Sequence, residues 1–557
     1  MIPEADGRPL PEIDSVWIIE APGKVGCMEA VLTSLGYAPQ IIATRGHFKK
    51  MPDSLSQCGI DASYAEHLRR ANPEIVERLA FHIGRLKGNG LVFVATDADT
   101  EGDVIATDVF DTISSYYPSP MRVRLRSLDR ETFEEAIGEA APIVREDATP
   151  GRTRAIIDRA IGAAFSQQGI PAGRIRSAIL GLVASNPPPI DWLYLSAPSV
   201  DGGREWTVRF PVRNPVSGRD ASRIAELDFP PLEERARIPG TPDPDDMGRI
   251  LVRAGDELDM SPREASRAMQ AAYESGRLSY PRSDARGISD HAASRLSTAF
   301  RQSGQTGFQR NVVRIRTAED VHDSPWPIGP VNPALDPVAM GGPEAIRTMI
   351  SQNLFRSGIS SRVGCHQPGI IRQFLLDAGL SVEVAEFVDS LPWAREMGLR
   401  KPGPAKKTGL IHRRADTALL EACVEAGIGR PSTYAAHIDA ILSSGLVDQN
   451  LALTEEGRAL VSRTPAALLD PAFSRAVEMA CHGTPPQAAP DVEPWQALAG
   501  KIVAGMPAEV GRAIQAAVSK PVEAVLAPSR EHTGPSNTIA SDRRTSMPAI
   551  RSLGRSP

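Results

Sequence analysis

A short apolar run, Leu91-Val92-Phe93-Val94-Ala95, passes directly into Thr96-Asp97-Ala98-Asp99-Thr100-Glu101-Gly102-Asp103, and this junction constrains the fold more than any other feature of the chain. A β-branched run that ends in a turn and opens an amphipathic stretch is the strand-to-helix step of an α/β layer. Three further runs, Val16-Trp17-Ile18-Ile19, Ile41-Ile42-Ala43-Thr44 and Val123-Arg124-Leu125, alternate with helical spacing at about 24–35, 63–85, 102–115 and 130–141. The pattern predicts a parallel sheet with crossover helices. Asp97, Asp99 and Glu101 then fall at its C-terminal edge, where α/β folds build sites.

In an extended turn these alternating carboxylates project to one side and suit a hard cation such as Mg²⁺. A solvated acidic loop capping the helix at 102 is the plain alternative. The first strand ends in Glu20-Ala21-Pro22-Gly23-Lys24, which adds a carboxylate and a lysine to the same edge, beside a helix start that could seat a phosphate. Neither strand is followed by G-x-G-x-x-G or G-x-x-x-x-G-K-[ST], so nucleotide cofactors held by such loops are not indicated.

The chain has 557 residues, enough for three to four domains at about 150 residues each. Hydrophobic residues at 41% and charged residues at 23% exclude wholesale disorder and a membrane protein. The start, MIPEADGRPLPEID, has neither a basic segment nor an apolar core, and no apolar run reaches 18 residues, which points to the cytoplasm. Five cysteines with no Cys-x-x-Cys pair argue against a disulfide scaffold and a zinc ribbon.

A Pro/Gly/acidic stretch near Ala148–Gly151 marks a boundary, and 152–187 has helical spacing. Residues 205–229 alternate like strands around a turn at Asn214-Pro215-Val216-Ser217-Gly218. A proline-rich stretch precedes a mixed segment at 247–365, the chain is helical again after about 411, and from 527 it has no periodicity and reads as a disordered tail.

The net charge of -6 confines basic surfaces to particular segments. Arg152, Arg154, Arg159, Arg174 and Arg176 face a single acid, Asp158, over 152–176. Such a segment serves a phosphate backbone or forms a solvated helix face. Gly-Arg-Pro-Ser-Thr at 429–433 offers an arginine, hydroxyls and free N–H groups ahead of a helix, for a phosphate or as an ordinary cap. Tyr280 follows a helix that ends at Gly276 and is flanked by Pro281 and Arg282. Such a tyrosine is a half-buried packing residue or a nucleophile; Arg282 could stabilise a phenolate and a transferring phosphoryl group, with Asp284 fixing the guanidinium.

In order and in content, these motifs resemble the type IA DNA topoisomerases over roughly residues 14–485. Glu20, Pro22-Gly23-Lys24, Arg45-Gly46-His47-Phe48-Lys49-Lys50-Met51-Pro52 and ATDADTEGD at 95–103 resemble the TOPRIM domain, which primases and some nucleases share. Tyr280-Pro281-Arg282-Ser283-Asp284, preceded by Tyr273-Glu274-Ser275-Gly276-Arg277-Leu278-Ser279, resembles the nucleophile motif, closest to the topoisomerase III branch. Val321-His322-Asp323 is similar to the element that contacts the phosphate. Arg154 to Gly162, Ala172 to Ser177 and Gly427 to Tyr434 are similar to the single-strand-binding elements. Two positions depart from the family: Arg176 stands where glutamine is common, and Thr100 where arginine is usual, which predicts weakened or more Mg²⁺-dependent activity.

The resemblance implies a multidomain α/β plus α and β fold with toroidal architecture and an N-terminal Rossmann-like TOPRIM domain. The expected units are TOPRIM at 1–148, a helical DNA-binding unit at 149–204 and 411–526, a β-rich hinge at 205–246 and 366–410, the tyrosine-bearing unit at 247–365, and the tail at 527–557. It further implies a monomer that cuts single-stranded DNA through a 5′-phosphotyrosine without ATP, passes a strand and religates, away from any membrane. Tyr280 would be the nucleophile, Glu20 the proton-transfer group, and Lys24, Arg282 and His322 the phosphate-site residues. Asp97, Asp99 and Glu101 would hold Mg²⁺, and Arg154, Asp158, Arg159, Arg174, Arg176, Ser177, Arg430, Ser432 and Thr433 would line the DNA path. A TOPRIM nuclease or primase, using the carboxylates without Tyr280, and a non-catalytic single-stranded DNA-binding protein remain the alternatives.

Overall fold

The strand Ser15–Ile19 is buried along its whole length and lies second in a five-stranded sheet, between two neighbours, so its near-continuous apolar run is what a strand covered on both faces requires. The computed structural model describes residues 12–520 apart from 52, 56–57, 68, 87–89, 118, 167–171, 240, 318–320, 360–361, 367–368, 396–407 and 488. The expected tail at 527–557 lies outside the described residues. The strand order is Pro39–Ala43, Ser15–Ile19, Leu91–Val94, Met121–Arg122, Ala141–Pro142, parallel except for the last. Trp17 lies opposite both Ile41 and Phe93, and its ring stacks on Phe93 at 4.1 Å.

Alternate side chains of these strands feed two cores. Val16, Ile18, Val92 and Val94 pack under Ile75, Leu79, Ile105 and Val109. Trp17, Ile19 and Phe93 pack on the other face with Met28 and Phe133, and with Tyr273 and Tyr280 from far along the chain. Each such large apolar side chain contributes about 1.5–3 kcal/mol by leaving water.

A second sheet is antiparallel throughout, in the order Glu234–Pro239, Arg362–His366, Ala394–Arg395, Trp206–Pro211, Asp191–Ala197, Gly409–His412. Leu193, Trp206 and Phe210 pack there with the helices Gly218–Ala225, Ile370–Asp377 and Val382–Ser390. The helices Arg174–Ser185, Met247–Leu258, Pro262–Glu274, Asp290–Gln302, Gly342–Ser357 and Ala415–Ala426 share one core. The helix Thr149–Phe165 packs with Pro471–Cys481, Pro494–Ala504 and Ala508–Val518 in another. The chain therefore enters the helical region, leaves for the second sheet, and returns.

Two expectations are corrected. Residues 205–229 are one strand followed by a helix, because Ser217 and Asp220 close a capping box and start the helix Gly218–Ala225 after the turn. The helix expected over 63–85 is confined to Pro73–Ile83. Asn72 caps it with Pro73 in the first turn, while Arg70–Ala71 pairs as a short ribbon with Lys49–Lys50. No helix among the described residues is long and apolar enough to cross a membrane.

Candidate active site

The first strand delivers Glu20 to the sheet edge, and the single 3-10 turn Pro22–Lys24 folds the lysine back underneath it. Lys24 is fully buried and its ammonium is paired with Asp97. A buried cation needs that partner, since an unpaired charge there is strongly unfavourable. Asp97 also accepts the Tyr273 hydroxyl at 3.0 Å, and the Lys24 ammonium lies 4.8 Å from the centre of that ring. Asp99 caps the helix Thr100–Ile113, accepting the Gly102 N–H at 2.7 Å. Only glycine fits at 102, because a Cβ there would stand 2.0 Å from the Asp97 carbonyl oxygen.

Tyr280 reaches this edge from the end of the helix Pro262–Glu274. Its backbone N–H donates to the Arg126 carbonyl at 3.0 Å, and its hydroxyl donates to Asp99 at 2.5 Å. The His322 ring stacks on the phenol at 4.1 Å with the planes 25° apart. Arg282 approaches Glu20 at 3.8 Å and Gln270 at 3.5 Å. Tyr280, Glu20, Lys24, Arg282 and His322 are thus brought together from three parts of the chain. Asp284 does not hold the guanidinium, in contrast to the sequence expectation, and Asp323 caps the helix Asp290–Gln302 through Ser289.

The electrostatics follow from burial. Burial, reinforced by Asp97, pushes the Glu20 carboxyl up to about 7, and its Oε2 is buried without a hydrogen bond. Burial and then Asp99 raise the Tyr280 phenol well above its ordinary value, so in this arrangement the hydroxyl is a neutral donor. That differs from the expectation that Arg282 stabilises the phenolate, since Arg282 only partly opposes the shift. Burial lowers the His322 imidazole to about 4, leaving it neutral at ordinary pH.

The three expected metal ligands do not converge. Asp97 is held by Lys24 and Tyr273, and Asp99 by Tyr280 and Gly102. Glu101 turns away to Ser432 at 3.3 Å and Arg430 at 3.4 Å. Among the described residues no group of three or more His, Cys, Asp or Glu side chains is arranged for a metal ion. The alternation of Asp97, Asp99 and Glu101 suggested one side, but Thr100 and Glu101 already lie in a helix whose twist separates them.

The expected DNA-binding residues are mostly engaged within the protein. Arg154 and Arg174 are buried; Arg154 donates to Glu478 at 2.7 Å, and Arg174 to Asp158 at 2.7 and 3.1 Å and to Glu478 at 3.1 Å. Arg159 ties down the carbonyls of Cys58 and Ser54 at 2.8 and 2.9 Å. Arg176 is half-buried, Ser177 is buried in the first turn of its helix, and the Thr433 hydroxyl donates to the Arg430 carbonyl at 3.2 Å. Thr100 receives Arg154 at 3.5 Å and Arg430 at 3.4 Å, so two guanidinium groups from the helical region already surround the position where the family carries arginine. Tyr273 and Glu478 had no assigned role in the sequence. Tyr273 is the second-last residue of the helix Pro262–Glu274, just ahead of the turn that carries the Tyr280 motif, whereas nothing local singles out Glu478.

No family model matches the chain. It is 22% identical over 482 residues to DNA topoisomerase 1 of Aquifex aeolicus, covering 78% of this chain and 87% of that protein. It is 23% identical over 538 residues to the plasmid DNA topoisomerase I of Xylella fastidiosa, covering 83% and 78%. It is also 22% identical over 392 residues to reverse gyrase 1 of Aquifex aeolicus, of whose length it spans 34%. Its fold is that of full-length topoisomerase I from Thermotoga maritima, with a TM-score of 0.58 at 15% identity over 90% of both chains.

Proposed function

We propose that this chain is a type IA DNA topoisomerase that cuts one DNA strand, passes another through the break and reseals it without ATP. The observation that carries the reading is the hydrogen bond from Tyr280 to Asp99, which joins a nucleophile motif to the sheet edge across 181 residues of sequence. A nuclease or primase using only the carboxylates has no use for that contact.

In this reading the phenolic oxygen of Tyr280 attacks a phosphodiester of single-stranded DNA in line. The new O–P bond forms as the bond to the 3′ oxygen breaks, giving a 5′-phosphotyrosine and a 3′-hydroxyl. One phosphodiester replaces another, so no nucleoside triphosphate is consumed. The phenol proton leaves toward Asp99, its present acceptor, and Glu20, whose carboxyl burial raises toward neutral pH, delivers a proton to the 3′ oxygen. Arg282 offers charge to the phosphoryl oxygens, and His322 supports the phenol ring. Religation reverses each transfer.

A divalent cation such as Mg²⁺ would be held at this edge by Asp97 and Asp99, and only after Lys24, Tyr273 and Tyr280 release them. When bound it would supply positive charge that holds a DNA phosphate. Glu101 is not part of that set. The division into TOPRIM, helical, hinge and tyrosine-bearing units, action as a monomer and residence in the cytoplasm belong to the same proposal.

The test is denaturant trapping of a labelled single-stranded oligonucleotide. The expected result is a covalent adduct with the unaltered protein and none with Tyr280→Phe. An adduct that survives in Tyr280→Phe, or a cleaved product without any adduct, sinks the reading.

A further inference from the structure

Glu478, on the helix Pro471–Cys481, is the shared counter-ion of three arginines that reach it from separate segments. Arg154, in the helix Thr149–Phe165, donates to Oε1 at 2.7 Å. Arg174, the first residue of the helix Arg174–Ser185, donates to Oε2 at 3.1 Å. Arg430, ahead of the helix Tyr434–Leu442, has its Nε 3.5 Å from Oε1. Two of the three have other carboxylates, Asp158 for Arg174 and Glu101 for Arg430, while the remaining contacts of Arg154 are the Thr100 hydroxyl and His482 Nε2 at 3.4 Å.

Three guanidinium groups and three carboxylates balance the group's charge with Glu478 present and leave one unit positive without it. Two oxygens bridging separate guanidinium groups is also the way a phosphate is held by arginines. The Glu478 side chain is 20% exposed, whereas Arg174 is 2% exposed, so the carboxylate lies on the solvent side and can leave while the arginine stays.

We propose that Glu478 occupies the seat of a DNA backbone phosphate and restrains binding until a strand displaces it. The seat adjoins Thr100 and Glu101, so displacement also leaves Arg430 with Glu101 as its carboxylate partner, beside the helix that Asp99 caps, coupling strand entry to the sheet edge. This inference rests on the topoisomerase reading for its ligand.

The experiment measures the affinity of the full chain for a single-stranded oligonucleotide across a salt series, beside thermal unfolding of each variant. Glu478→Gln keeps the shape and an acceptor for Arg154 but removes the charge. It is expected to bind roughly tenfold tighter at low salt, with a logarithmic salt slope steeper by about 0.7, the value for one more neutralised phosphate on a single strand. Glu478→Asp, which withdraws the carboxylate by one methylene, is expected to tighten binding by a smaller factor. If either folded variant binds no tighter than the unaltered protein, Glu478 is a structural staple and the inference falls, while the topoisomerase reading stands on the adduct. If the unaltered protein binds no strand, both fall together.

Discussion

Tyr273 and Tyr280 meet edge to face, with ring centres 5.8 Å apart and planes at 84°, and each gives its hydroxyl to a different carboxylate of one turn. Tyr273 serves Asp97 and Tyr280 serves Asp99. Their difference is what surrounds them: Lys24 lies over Tyr273, while His322 and Arg282 flank Tyr280. Tyr273→Phe is therefore expected to keep the Tyr280 adduct while loosening the Asp97–Lys24 pair. Loss of one hydrogen bond to a charged group costs about 1.5–3 kcal/mol, so strand cleavage is expected to slow roughly tenfold or more. Single-turnover cleavage with denaturant trapping measures both; loss of the adduct itself would make Tyr273 the nucleophile.

Glu20 links pH to both stability and rate. Its carboxyl stands at about 7 in the folded chain against 4.5 ordinarily, so between those values the folded state binds more protons than the unfolded one. Stability from this group is present below about 4.5 and is lost as pH rises through 7, by an amount on the order of 3 kcal/mol. Glu20→Gln, which imitates the protonated form, is expected to flatten thermal stability over that window. Cleavage by the unaltered protein should decline above pH 7 as the proton donor empties, and Glu20→Gln should be slower by roughly 10²–10⁴-fold with no break near 7. A break that persists in the variant assigns the proton to another group.

Thr100 provides a test of opposite sign to the sequence expectation. The family's arginine looks like a missing charge until Arg154 and Arg430 are seen at the threonine hydroxyl. Thr100→Arg would add a third guanidinium beside the buried Arg154 and the half-buried Arg430, which is unfavourable where no counter-ion is gained. We expect a lower thermal midpoint and no faster relaxation of supercoiled DNA. A faster, equally stable variant would restore the reading in which the charge is simply absent.

The strands, the sheet edge, Glu20, Lys24, Asp97, Asp99 and Tyr280 were legible because each announces itself locally, through a burial run, a turn or a motif. What local pattern could not convey was commitment. Asp97, Asp99 and Glu101 share a spacing, yet each finds a different partner from a distant segment: Lys24, Tyr280 and Arg430. Arg154 and Arg174 read as part of a DNA face because their shared acid, Glu478, is about 300 residues away, and Arg152 because its partner Glu66 lies in the first unit. The helix at Gly218–Ala225 was missed for a local reason, since an Asn-Pro turn disguised the Ser217 and Asp220 capping box as the tip of a hairpin.

In the proposed strand passage, opening a gate requires the segment around Tyr280 to leave the first sheet, and Arg295–Asp129 is one of the pairs across that boundary, beside Tyr280–Asp99 and Arg282–Glu20. Arg295, on the helix Asp290–Gln302, donates to Asp129 at 2.6 Å, where Asp129 caps the helix Arg130–Gly138 of the first sheet's layer. The guanidinium also lies 5.3 Å from the centre of the Trp326 ring, which fixes it on its own side. Burial alone would raise the Asp129 carboxyl, but the hydrogen bond and charge of Arg295 together with Ser127 and Thr132 hold it below its ordinary value, so the pair is intact at and above the ordinary value and is lost only as pH falls through the lowered one. A charge-assisted bond of this kind is worth about 1.5–3 kcal/mol, so removing it should raise the separated population roughly tenfold or more. Arg295→Ala is accordingly expected to speed hydrogen exchange in the helix Arg130–Gly138 and to quicken strand passage where opening limits the rate. Arg295→Lys, which keeps the charge without the planar fork, should fall between. Unchanged exchange in Arg295→Ala would mean that the apolar contacts of Tyr273 and Tyr280 in the first sheet's core, rather than this pair, hold the gate shut.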